Sequence, residues 1–442
     1  MQTTVKSLLS KILLPINEFI RFQESGGIIL LFSTVLAIVL ANSAWSEGFI
    51  HFWEIPAEIS FAGYLIHFSP AHLINDGLMT IFFVVVGLEI KREVMEGELS
   101  TPQKALLPVI AALGGMLMPA LFFTVFNFNH STQNGWGIPT ATDIAFSLTV
   151  ISLLGNKIPN GLKVFLAALA IADDLGAVVI IALFYSASIN WLALGIGLGI
   201  FGIMLLLNYR KIDHLLPYYV LGIVLWVCFL KSGIHPTIAG VLFAITIPHR
   251  RKKNFEPRVK EVIYTLEKHL DMLRSEACKQ DKMLRDQVIE EMQRVSRIIE
   301  SPLQNLLHYL HPFSGYIIMP LFALANAGII FTAVSQDMLF HPLLLGIGAG
   351  LILGKSTGII AFTWLSVKIG IAKLPVNVSF SKLYGLAWLA GIGFTMSIFI
   401  ANLALPSEIL SLAKMAILGA SCISGITGYL ILHWQSRLIP VS

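Results

Sequence analysis

Several ionisable residues of this chain sit where the surrounding sequence offers no water. Ala172-Asp173-Asp174-Leu175-Gly176-Ala177 lies between Phe165-Leu166 and Val178-Val179-Ile180. Thr140-Ala141-Thr142-Asp143-Ile144-Ala145 lies in the apolar segment before it. Lys355 lies in Leu353-Gly354-Lys355-Ser356-Thr357-Gly358, inside a late apolar segment. A charge in hydrocarbon costs roughly 2.5–3.5 kcal/mol on insertion scales and usually serves function. Successive helix residues diverge by about 100°, so Asp173 and Asp174 cannot do the same job. One can face a cavity while the other pairs with a cation, and the reading takes Lys355 as the only deep lysine for that pairing. A hard cation such as Na+ wants several oxygens. A carboxylate, a threonine hydroxyl and freed backbone carbonyls would supply them. Removal from water changes proton affinity, so such carboxylates could trade protons for a metal ion, titrating as a coupled pair. The plain alternative for one Asp in an apolar run is a structural hydrogen bond. Three Asp and a Lys in this setting point to a site instead.

Positioning such a site takes helices with breaks in them. The segment holding Asp143 is interrupted by Gly135, Gly137 and Pro139, and a late segment by Gly391-Ile392-Gly393-Phe394-Thr395. Paired interrupted spans in the two halves of a chain mark a midplane ion site built from half-helix ends. Helix ends carry opposite partial charges, and Asp143 and Lys355 would be placed to balance them.

The rest of the chain agrees with a lipid solvent. Of 442 residues, 56% are hydrophobic and 13% charged, against about 25% charged in soluble domains. Runs such as Ile28 to Leu40 do not alternate, so they read as helices rather than barrel strands. About twelve apolar segments follow, near 26–43, 72–90, 105–126, 135–154, 160–185, 191–208, 216–230, 233–248, 313–331, 342–367, 380–404 and 412–432. Lys and Arg cluster in alternate joints: Lys91, Arg92 and Lys104 in one, none in Ser43 to Pro70 or Asn127 to Gly135. By the positive-inside rule both termini are cytoplasmic and the span count is even. The net charge of +4 gives no basis for nucleic-acid binding. Cys228, Cys278 and Cys422 have no metal or redox spacing, and no cleavable leader is expected.

Three regions emerge: a transmembrane part over 1–247, a charged insertion over 248–305, and a second transmembrane part over 306–442. An external joint near 44–70 contains two short alternating stretches around Ala62-Gly63, a hairpin pattern. In the insertion, Val259 to Leu273 and Leu284 to Ile299 repeat apolar residues at helical spacing, as two amphipathic helices would.

At this point the chain resembles a known family. Val86-Gly87-Leu88-Glu89-Ile90-Lys91-Arg92-Glu93, Ala141-Thr142-Asp143-Ile144-Ala145-Phe146, Ala172-Asp173-Asp174-Leu175-Gly176-Ala177, Lys231-Ser232-Gly233-Ile234-His235, Pro320 to Gly328 and Gly391 to Ser397 are similar to the bacterial NhaA Na+/H+ antiporters, in order from about Gly26 to Tyr429. The resemblance implies an all-α, multi-pass protein of the inner membrane. It implies twelve helices, inverted repeats and pH-regulated exchange of Na+ or Li+ for protons, with no cofactor. It implies that Asp173 and Asp174 form the ion site beside Thr142 and Asp143, with Lys355 on Asp173 and taking part in proton exchange. It implies pH sensing at Glu89, Arg92 and Glu93, with His308, His311 and His235 as further candidates. It also implies a homodimer joined through the external hairpin. Two departures stand out. Leu307 replaces the family's acid before the His308-x-x-His311 pair, which would leave Arg92 without its usual partner. The insertion is longer than in compact members.

Two other functions compete. An intramembrane aspartyl protease needs two carboxylates sharing one proton, but adjacent Asp173 and Asp174 diverge and Lys355 would have no role. A proton-coupled carrier of an organic solute needs a larger pocket than the Gly, Ala, Ile and Leu around the Asp pair suggest.

Overall fold

The computed structural model describes residues 15–61, 64–155, 158–186, 188–249, 301–330, 338, 340–375 and 378–438. The amphipathic helices expected at 259–273 and 284–299 lie outside the described residues. So do Lys6, Lys11, Lys157 and the Arg250 to Lys253 run.

Helices dominate. They run α1 (Pro15–Ala41), α2 (Ser46–Glu54), α3 (Pro70–Met95), α4 (Pro102–Asn127), α5 (Ile144–Ser152), α6 (Asn160–Phe184), α7 (Trp191–Tyr209), α8 (Leu216–Ser232) and α9 (Thr237–Thr246). After the insertion come α10 (Pro302–Phe313), α11 (Met319–Asn326), α12 (Pro342–Lys368), α13 (Phe380–Leu389), α14 (Phe394–Ala404) and α15 (Ser407–Leu438). A 3-10 segment, Gln133–Thr140, precedes α5. Each apolar stretch of the sequence coincides with one of these elements or a consecutive pair. Among the described residues, six helices are long and apolar enough to cross a membrane, and up to eight if each of two bent pairs is one span. The shortfall from twelve has local causes. The stretch through Gln133 to Ser152 is interrupted, α8 and α9 are 17 and 10 residues long, and α11, in the stretch near 313–331, has 8 residues.

Between α2 and α3, β1 (Ala57–Phe61) and β2 (Tyr64–Phe68) pair antiparallel, Ala57 opposite Phe68 and Phe61 opposite Tyr64. This is the hairpin that the alternating pattern predicts. The start of α10 is set by a capping box. The Ser301 hydroxyl accepts from Gln304 N–H and the Gln304 side chain accepts from Ser301 N–H, with Pro302 in the first turn.

Most of the helices are apolar on every side, so no polar face turns outward. On α1, Ile28, Leu31, Phe32 and Val35 are exposed, and on α7 so are Trp191, Leu192, Ile203 and Tyr209. This outward apolar surface is the reverse of a water-soluble protein and fits a lipid solvent. Inside, a large core gathers residues of α1, α4, α5, α6 and α11 to α15, while a smaller one joins part of α3 to α7, α8, α9 and α10. α4 and α12 touch backbone to backbone: a Cβ on Gly358 would lie 2.1 Å from the Gly114 carbonyl oxygen. That approach carries Lys355 of α12 into the centre, where it is fully buried.

Candidate ion site

Two interrupted segments cross at the middle of the large core. The first runs from the 3-10 segment through extended Ala141 to Asp143 into α5. The second is α13 and α14, bent by 49° at residues 390–393. Pro139 has no N–H to give, which helps keep the first half out of α geometry. The breaks strip backbone groups of their helical partners, and the two segments satisfy one another. Asp143 N–H donates to the Ile392 carbonyl at 2.7 Å. Thr142 Oγ1 donates to the Ala390 carbonyl at 3.0 Å, Ser147 Oγ to Leu389 at 2.9 Å, and Ser397 Oγ to Ile138 at 2.8 Å.

Asp143 lies at two helix starts at once. Its Oδ1 accepts from Phe146 N–H of α5 at 3.1 Å, and its Oδ2 from Thr395 N–H of α14 at 3.2 Å and from the Thr395 hydroxyl. A carboxylate facing the positive ends of two helices is the expected electrostatic match. At the end of the 3-10 segment the sign reverses, and the Thr140 carbonyl accepts from Lys355 Nζ. Asp143 thus faces two helix starts, and Lys355 the end of the 3-10 segment.

α6 passes beside the crossing. Asp173 Oδ2 meets Lys355 Nζ at 2.8 Å and accepts from Thr142 Oγ1 at 2.7 Å. Asp173 Oδ1 and Asp174 Oδ1 are both buried and accept from no group among the described residues. Buried polar atoms nearly always have partners, so each of these two carboxylate oxygens is open to a cation or a proton. Thr142 has one hydroxyl hydrogen for two acceptors. When it donates to Ala390, its lone pairs remain for a cation beside Asp173. The structure therefore brings together Asp173, Asp174, Thr142, Asp143 and Lys355. A π-helical turn, Gly350–Gly354, immediately precedes Lys355. Such turns are frequent at functional sites.

The pH-sensing candidates separate into two places. At one end of α3, Glu89 Oε1 lies 3.2 Å from His311 Nδ1, and Arg92 pairs with Glu93 at 3.1 Å. Leu307 offers Arg92 no acid, and the guanidinium pairs instead with the next residue on its own helix. His308 is half-buried with its ring against Tyr309. His235 is elsewhere, near the opposite end of α3, with Nε2 3.6 Å from Asp76 Oδ1 and its ring edge-on to Phe399. Glu89 and Asp76 are roughly 20 Å apart along the helix. His235 thus does not join the Glu89 group.

Several participants carry little signal in the sequence. Thr395, Ser147 and Ser397 are hydroxyls in apolar runs, where they carry no signal by type. Asp76 was visible as a charge in Asn75-Asp76-Gly77. Glu96 also escaped notice; it accepts from Gln304 at 3.0 Å and lies 3.1 Å from His249, joining both roots of the insertion to the end of α3. Lys355 is not the only lysine in an apolar helix either: Lys414 lies at the start of the third turn of α15, partly buried.

The family profile described as Na+/H+ antiporter 1 matches residues 17–432. The chain belongs to that family. Among its relatives, the Na(+)/H(+) antiporter NhaA of Oleidesulfovibrio alaskensis is 46% identical over 432 residues, covering 96% of this chain and 95% of the relative. The Na(+)/H(+) antiporter NhaA of Syntrophobacter fumaroxidans is 44% identical, covering 97% and 92%. That of Christiangramia forsetii is 44% identical, covering 95% and 94%. Membership and the apolar helices together make this member a multi-pass integral membrane protein. It belongs to a family of transporters, not of enzymes.

Proposed function

We propose that this protein exchanges cytoplasmic Na+ or Li+ for external protons at Asp173 and Asp174. The observation that carries the reading is the pair of partnerless buried oxygens, one on each carboxylate, beside Thr142 and the crossed segments. The relatives are Na(+)/H(+) antiporters by name, which supports Na+ and protons as the exchanged ions.

In this reading Asp174 is the principal ligand of the entering cation. Asp173 Oδ1 and Thr142 Oγ1 add oxygens of the hard kind that Na+ and Li+ prefer. The cation competes with Lys355 for Asp173, and protons leave as it binds. Alternating access then exposes the loaded site to the other side. Asp143 stays with the two helix starts and keeps the crossing in balance. Two carboxylates releasing protons for each Na+ would move net charge in every cycle. Glu89, Arg92, Glu93 and His311 form the proposed pH-responsive group, with His308 and His235 as outlying candidates.

The architecture proposed around this site has twelve spans with inverted repeats, both termini cytoplasmic, in a bacterial inner membrane. It consists of transmembrane parts over 1–247 and 306–442 with a cytoplasmic insertion over 248–305. Support comes from the alternation of Lys and Arg between joints and from the two interrupted segments. The hairpin near 44–70 is the proposed homodimer contact, since a two-stranded sheet leaves edges open to a second copy.

Everted membrane vesicles test the function. Na+ or Li+ added to vesicles containing this protein should dissipate a preformed pH gradient, and Asp174→Asn should abolish the response. Full exchange by Asp174→Asn would sink the site assignment.

A further inference from the structure

Tyr185 follows α6, roughly 18 Å along the helix from Asp173. Its hydroxyl donates to the Asn134 carbonyl at 2.7 Å and accepts from Gly137 N–H at 3.1 Å. Both partners belong to the 3-10 segment Gln133–Thr140. Gly137 is needed for this approach, because a Cβ there would lie 2.6 Å from the Tyr185 hydroxyl. Beside it, Trp136 and Phe184 meet edge-on with ring centres 5.0 Å apart.

The segment so held ends at the residues that touch the site. The Thr140 carbonyl accepts from Lys355, and the Thr142 hydroxyl reaches Asp173. α6 with its following residue thus grips the interrupted segment twice, through Asp173 near the site and through Tyr185 further out. A 3-10 stretch has poorer hydrogen-bond geometry than an α-helix and is a weak strut by itself. Its last carbonyl is held in place from outside.

We propose that Tyr185 is a positioning residue for the ion site, fixing the 3-10 segment so that the Thr140 carbonyl shares Lys355 with Asp173. Without that hold, the carbonyl leaves Lys355 and the ammonium turns wholly to Asp173. Na+ must then displace a more firmly paired lysine, so the loss appears in Na+ affinity rather than in turnover. This rests on the reading of Asp173, Asp174 and Lys355 as the ion site.

The test is Na+-driven proton movement in proteoliposomes, measured against Na+ concentration for the parent, Tyr185→Phe, Gly137→Ala and Phe184→Leu. Tyr185→Phe should raise the Na+ KM roughly five- to tenfold, the scale of a lost hydrogen bond or two, with the maximal rate near the parent's. Gly137→Ala should raise it as well, because its methyl displaces the hydroxyl. Phe184→Leu removes the ring contact, leaves both hydroxyl bonds, and should keep the parental KM. A purely structural Tyr185 would lower yield and thermal midpoint while leaving KM in place, and that result overturns the proposal. So does an equal KM rise in Phe184→Leu, which would assign the effect to ring packing. If Tyr185→Phe does not accumulate, Gly137→Ala gives the deciding reading with the tyrosine present. A parent without Na+-driven exchange would instead overturn the functional reading.

Discussion

Lys355 and Asp173 are both shut away from water, 2.8 Å apart, so each depends on the other. Removing one member of a buried pair leaves an uncompensated charge, at roughly 3–5 kcal/mol. Lys355→Met should therefore lower the thermal unfolding midpoint of the purified protein, and Lys355→Met combined with Asp173→Asn should recover most of the loss without recovering exchange. A double variant no more stable than the single one would count against this pair as the main charge balance. Asp143 faces two helix starts, each worth up to about 2 kcal/mol in partly buried geometry. Asp143→Asn keeps the shape and gives up the charge, so a smaller loss of about 1–2 kcal/mol is expected by the same melting measurement. Thr395→Val should act in the same direction by removing one donor to Asp143 Oδ2.

Among the elements, α12 contains a π turn, Gly350–Gly354, directly before Lys355, and such a turn takes up an additional residue inside an otherwise α-helical element. The insertion is the next element to test. Its two roots already meet, through the Leu303 N–H to Pro248 carbonyl bond at 3.2 Å and through Glu96, which engages both His249 and Gln304. A short Gly/Ser bridge replacing Lys252 to Glu300 should therefore leave exchange intact and shift its pH dependence, since Glu96 lies on the same stretch of chain as Glu89, Arg92 and Glu93. Loss of all transport on deletion would show the insertion to be structural.

For the whole molecule, the crossing of two interrupted segments puts the carboxylate pair amid the helix ends. If two protons leave for each Na+, transport responds to membrane potential; a rate indifferent to an imposed potential would argue against that stoichiometry. Much of this organisation was legible in the residues. A charge in an apolar run is visible by contrast with its neighbours, so Asp143, Asp173, Asp174 and Lys355 declare themselves, and Gly and Pro in apolar runs declare the breaks. Alternation around Ala62-Gly63 marked the hairpin in the same way. What escaped is whatever looks ordinary in one dimension. Thr395 and Tyr185 act through partners far along the chain, and nothing in their own surroundings marks them. The π turn before Lys355 lies in an ordinary apolar run, Gly350-Leu351-Ile352-Leu353-Gly354, and nothing in it marks the change of pitch. Arg92 kept a partner because a neighbouring Glu93 can substitute locally, which one missing acid at position 307 does not reveal. The sequence by itself determined the solvent, the helical elements and the charged residues that a lipid-embedded chain carries for function, since all three follow from composition and local pattern. Only the tertiary structure decided which oxygen of which carboxylate stays without a partner and which carbonyl shares Lys355 with Asp173, because those depend on distances between elements that meet only after folding.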